Sequence, residues 1–123
     1  MSEKPILTRE QILAAPDLPI SDPIHVPEWG GYVHVRSMTA GEKDDFELWA
    51  FEAAQKKAPD RNRQMRARMV IACVVDAAGN HLFTPADAPA LAAKSNNAVS
   101  RVTDAISKHN RLDPKERQAL AKN

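Results

Sequence analysis

"IHVPEWGGYVHVRSMTAGEKDDFE", residues 24–47, carries the architecture of this chain. Two β-prone runs, "IHVPEW" and "YVHVRS", flank Gly30-Gly31. A Gly-Gly pair between such runs predicts a β-hairpin, because a type I′ turn needs positive φ at both central residues. In the second arm Val33 and Val35 alternate with Tyr32, His34 and Arg36, so one face packs and the other stays wet. Pro27 has no N–H to give a ladder and marks the first arm as an edge or a bulge. Thr39 and Glu42 then make a capping-box pattern, and a helix is expected from there to about Lys57. Phe46, Trp49, Ala50 and Ala53 recur at helical spacing as its buried stripe. Leu48 lies nearly opposite that stripe and Phe51 at its margin. Two destinations are open to them: other parts of the same fold, or a partner.

On the N-terminal side, "LTREQILAAPDLP" predicts a short helix capped by Thr8 and Gln11 and ended by Pro16 and Pro19. The prolines from Pro16 to Pro27 then predict an extended connector. On the other side, "KKAPDRNR" breaks the chain at Pro59 and Asp60. A second helix is expected over 62–75. Its last residues, "MVIACVV", are apolar all round and rich in β-branched side chains, which also suits a buried strand; continuity with the helix-prone "RQMRAR" favours helix. Gly79-Asn80 predicts a turn and "HLF" a short extended piece. Thr84, Pro85 and Asp87 open a further helix, near whose start Pro89 is tolerated. Over 96–110 the periodicity is clearest, with Val99, Val102, Ile106 and His109 facing one way and Arg101, Asp104 and Lys108 the other. "LDPKERQALAKN" predicts a capped, polar tail helix that frays on its own.

The expected fold is therefore mainly α (α+β): an N-terminal β-hairpin followed by a compact bundle of about four to five helices. Residues 1–22 form a helix and connector, 23–112 a single hairpin-plus-helices domain, and 113–123 a polar helix or tail. A chain of 123 residues fits one domain. Net charge is +1, which gives no global attraction for nucleic acid or an anionic membrane. The start carries no long apolar stretch of the signal-peptide kind, and no run is long enough to predict a spanning helix. Cys73 is the single cysteine, set in an apolar run, and reads as a buried core thiol. A reducing cytoplasm fits these features.

The residue pattern offers little chemistry. His25, His34, His81 and His109 lack metal-ligand spacing, although the hairpin brings His25 near His34. Asp44 and Asp45 sit in the first turns of a helix, where the dipole favours carboxylates. Phosphate-binding glycine loops and nucleophile elbows are absent from the sequence. No catalytic residue, cofactor or metal is expected. One charge cluster stands out: Lys56, Lys57, Arg61, Arg63, Arg66 and Arg68. It reads as a solvated helix face, an acidic-partner surface or, less favoured, a phosphate-contacting patch.

Taken in order, "ILAAPDLP", "VPEWGGYVHVRSMTAGEKDDFE", "RARMVIACVVDAAGNHLFTPADAPALAAKS" and a helix ending "HNRL" resemble the tail assembly chaperones of long-tailed phages and prophages. The resemblance spans roughly residues 12 to 112 and lies in the ordered set. It implies a non-enzymatic protein of the host cytoplasm that coats and solubilises the tape measure protein, helps recruit the tail tube protein, and self-associates. No catalytic residue comes with it. His109-Asn110-Arg111-Leu112 departs from relatives that carry a glycine after the asparagine, which bears on the local helix end. In that family ribosomes slip near the end of the short gene, and Ala121-Lys122-Asn123 permits the adenine run this needs, so a longer fused form is implied. Edge strands and apolar faces recruit other chains. The expected contact residues are Trp29 and Tyr32 beside the turn, Leu48 and Phe51 on the helix, and Arg61, Arg63, Arg66 and Arg68 as a basic rim. For Trp29 the alternative is packing on the helix of Phe46 and Trp49. Other classes compatible with the sequence are a small virion protein such as a head–tail connector, and a DNA-binding regulator.

Overall fold

The computed structural model describes residues 4–56 and 61–110, with the backbone alone at 61–63. The elements are α1 (Arg9–Ala14), β1 (Ile24–Val26), β2 (Gly31–Val35), α2 (Ala40–Gln55), α3 (Arg61–Cys73), β3 (Val74–Val75), α4 (Ala88–Ala92) and α5 (Asn96–His109). The architecture is mainly α, with a small antiparallel sheet of order β1-β2-β3. The breaker at Pro59-Asp60 and the tail over 113–123 lie outside the described residues.

The hairpin forms, but its turn differs from the expected one. Ile24 pairs with Val33, His25 with Tyr32 and Val26 with Gly31. That register makes residues 27–30 the loop and places Gly31 in β2. Pro27–Trp29 forms a 3₁₀ turn, helped by the fixed φ of proline at its start. Gly30 closes it at φ 73°, its N–H donating to the Pro27 carbonyl at 3.1 Å. One left-handed glycine therefore does what two were expected to do. As an outermost strand, β1 matches the expectation that Pro27 set.

The second correction falls at "VV". The helix expected over 62–75 ends at Cys73, and Val74 and Val75 pair with Val35 and His34 as a strand. The Arg36 N–H donates to the Cys73 carbonyl at 2.9 Å, so the helix end is met by the sheet. Helix-prone residues carry the chain as far as the open side of β2. There its unpaired backbone groups and the β-branched pair prefer a ladder. The following turn is built by Asp76, whose carboxylate accepts from the N–H groups of Ala78 and Asn80 at 2.9 and 3.0 Å. Those bonds hold its carboxyl below the usual range. Gly79 supplies the positive φ, 90°, and His81 bridges back to Val75.

At the centre of the body, α3 packs against α2, α4 and α5. The core joins Val26 and Val35 of the hairpin to Val70 and Val74 and to Val102 and Ile106 of α5, all essentially inaccessible. α5 follows its periodicity closely, with Ala98, Val99, Val102 and Ile106 buried and Arg101, Asp104 and Lys108 exposed. Residues 84–87 start as expected, the Thr84 N–H donating to the Asp87 carboxylate at 2.9 Å. They begin with a 3₁₀ turn, Pro85–Asp87, and α4 follows as a single short stretch.

α1 has its full capping box, with Thr8 and Gln11 bonded reciprocally, yet it buries no residue. The connector behind it is held at two points. The Pro19 carbonyl accepts from His109 Nε2 at 2.8 Å, and Ser21 exchanges bonds with the Val35 backbone.

Candidate partner-binding surfaces

Two sides of α2 differ in character. Its start is fixed by Thr39, whose hydroxyl accepts from the Glu42 N–H at 3.0 Å while the Glu42 carboxylate accepts from the Thr39 N–H at 2.9 Å. The same carboxylate takes a second load. Arg36, only 8% exposed, donates to it from both terminal nitrogens at 3.0 and 3.2 Å. The guanidinium also donates to the Ser37 carbonyl at 2.8 Å and, more weakly, to Gly79 at 3.4 Å. His81 Nε2 stands 2.6 Å from the other Glu42 oxygen, a distance that assigns its proton to this nitrogen. Its 3.0 Å approach to Arg36 is then packing of two donors around one acceptor. The Arg36 guanidinium, with Thr39 and His81 adding to it, holds the Glu42 carboxyl down at about 2 against partial burial.

This network is a structural clamp joining β2, the Asp76–Asn80 turn and the head of α2. The sequence expectation had Arg36 on the wet face of its strand, and the structure buries it. The signal lay in the spacing of Arg36 to the N3 glutamate of a capping box, but no rule of local sequence distinguishes that from an exposed pair.

On its inner side α2 lays Phe46, Trp49 and Ala50, half-buried, and Ala53, buried, toward α3. The expected stripe is thus in place. The Phe46 and Trp49 rings stand 6.1 Å apart, and the Arg68 guanidinium lies 4.8 Å over Trp49. A cleft of about 220 Å³ opens beside them, reaching Ile71, Phe83 and Pro85, with Glu42 and His81 at its polar end. That volume suits a single large side chain better than a typical small-molecule ligand.

The outer side carries Leu48 and Phe51, 56% and 61% exposed. Of the two destinations left open by the sequence, the intramolecular one is not met among the described residues. Phe51, expected at the margin of the buried stripe, is exposed to much the same degree as Leu48.

Of the expected basic rim, Arg66 and Arg68 do not gather around this pair. Arg66 turns to α5, donating to Asn96 Oδ1 at 2.6 Å and Ser100 Oγ at 3.0 Å. Arg68 serves Trp49 on the inner side. A two-residue separation on a helix sends side chains in different directions, so the run cannot present one face. The side chains of Arg61 and Arg63 lie outside the described residues.

Trp29, 36% exposed, belongs to a turn that lies beside α5 and β2, and the ring that Phe46 pairs with on α2 is Trp49. Arg101 of α5 secures that turn through Glu28 at 2.9 and 3.1 Å and holds the Glu28 carboxyl below its usual range. Tyr32 is 68% exposed and stacks on His25 across the strands, centroids 4.9 Å apart.

The histidines are each engaged locally. His25 meets Tyr32, His34 Nδ1 donates to Ser21 at 2.8 Å, His81 meets Glu42, and His109 meets Pro19. Among the described residues no group of three His, Cys, Asp or Glu is placed to hold a metal ion. Cys73 is fully buried, as expected, and burial pushes its thiol up to about 11. Among the described residues no helix is long and apolar enough to cross a membrane. In comparisons with known proteins, no family model, curated protein or solved structure matches the chain.

Proposed function

We propose that this chain is a phage tail assembly chaperone. It binds the tape measure protein in the host cytoplasm and keeps it in solution. It also helps recruit tail tube subunits, self-associates, and performs no catalysis. The specific identity rests on the ordered motifs from "ILAAPDLP" to "HNRL". The structural observation that supports a binding role is the pair Leu48 and Phe51, large apolar side chains held in water on a helix whose opposite side is packed.

Co-expression with the tape measure protein encoded beside it tests the reading. The chain should move that protein into the soluble fraction, and Leu48→Asp with Phe51→Asp should abolish the effect while the far-UV spectrum is unchanged. A tape measure protein that stays insoluble with the wild-type chain would overturn the proposal. Retention of the chain in purified particles would instead identify a virion component such as a connector.

A further inference from the structure

The outer side of α2 has a rim, and the rim is acidic. Asp44 lies one turn before Leu48, Glu47 one turn before Phe51, and Glu52 one turn after Leu48, so all three border the apolar pair. Each is exposed. Lys43, the neighbouring cation, already reaches Glu47 at 3.4 Å, and Lys56 sits only at the C-cap. Arg66 and Arg68 are held elsewhere, on α5 and on Trp49. Among the described residues the face is therefore an apolar ridge whose border stays net negative even with Lys43 counted against Glu47, where the sequence led us to expect a basic rim.

We propose that this face docks an amphipathic helix of a partner protein whose apolar stripe is flanked by lysine or arginine. The proposal rests on the reading that the outer side of α2 is where a partner is held. A helix fits because Leu48 and Phe51, three apart, form one ridge that seats in the groove between rows of a second helix. Basic flanks fit because Asp44, Glu47 and Glu52 would meet them at the edge of a desolvated patch, whereas acidic flanks would be repelled there. The same border disfavours nucleic acid and anionic lipid on this side of the molecule.

Three labelled peptides test it by fluorescence anisotropy against the whole chain: a leucine-striped helix with lysine flanks, the same stripe with glutamate flanks, and the lysine peptide with its leucines replaced by serine. The first should bind at least about tenfold tighter than either other, and should weaken as salt rises. Leu48→Ser with Phe51→Ser should weaken it by about tenfold or more, since it removes the ridge. The triple charge reversal Asp44→Lys, Glu47→Lys, Glu52→Lys should transfer the preference to the glutamate-flanked peptide. All of these positions are exposed, so a circular dichroism spectrum checks that each variant is folded. Equal binding of the lysine- and glutamate-flanked peptides overturns the proposal, as does binding that survives loss of the leucines or of Leu48 and Phe51. The chaperone reading is judged separately, by solubility of the tape measure protein. Peptide binding without solubilisation removes that reading alone, and solubilisation without charge preference removes this one alone.

Discussion

Glu42 caps a helix and neutralises a buried guanidinium with the same carboxylate, and that double use fixes how stability should depend on pH. Its carboxyl sits at about 2 in the folded chain against an ordinary value near 4.5. A depressed carboxylate stabilises the fold fully above its unfolded value, and the contribution is lost as pH falls from about 4.5 through about 2. With 27% of its side chain reached by solvent, the contribution is about 2 kcal/mol. Glu42→Gln keeps the cap, since glutamine at the same position caps α1, and removes only the charge opposite Arg36. Urea midpoints at neutral pH should therefore drop for this variant, and the gap to wild type should close between pH 4.5 and 2. A gap that persists at the acid end would mean that the difference does not come from the carboxylate charge. Cys73 makes a second prediction at this scale. With its thiol buried and raised to about 11, it should resist alkylation in native buffer and react at once in denaturant.

Among the elements, the caps carried the most information. Thr8 with Gln11 and Thr39 with Glu42 close as reciprocal boxes, and Thr39→Ala should cost about 1 kcal/mol in a denaturant titration. α5 was fully legible, because its burial repeats at helical spacing from Ala98 to Ile106. Two elements were not. The loop after Val26 depends on strand register, which Pro27 and Gly30 determine together, so a dipeptide rule over Gly30-Gly31 placed it wrongly. Val74 and Val75 follow a helix-prone run without a breaker, and only the open side of β2, far off in sequence, converts them to strand. The candidate surface was legible in part for the same reason. Leu48 and Phe51 could be found from periodicity on one helix. The positions of Arg66 and Arg68 depended on α5 and α2, and the burial of Arg36 on a turn beyond residue 75. α1 gives a further prediction. Because it buries nothing, its amides should exchange with solvent far faster than those of α5, and a variant lacking residues 4–15 should unfold within about 0.5 kcal/mol of wild type.

The molecule as a whole is organised around α3, which meets α2, α4 and α5 and runs directly into the sheet. Val70 is fully buried at that crossing. Val70→Ala should lower stability by about 2 kcal/mol, with tryptophan fluorescence and far-UV ellipticity losing structure in one coincident transition. Separate transitions would show that α2 unfolds independently of the rest. The open margin of β1 has a different consequence. This outermost strand is three residues long and is bracketed by Pro23 and Pro27, neither of which has an N–H. At the other margin the His81 bridge already occupies a position on Val75. A visiting strand would find too few donors in a row to propagate a ladder. The two margins of the hairpin are thus poor templates for strand-by-strand growth between copies of this chain, however concentrated it becomes.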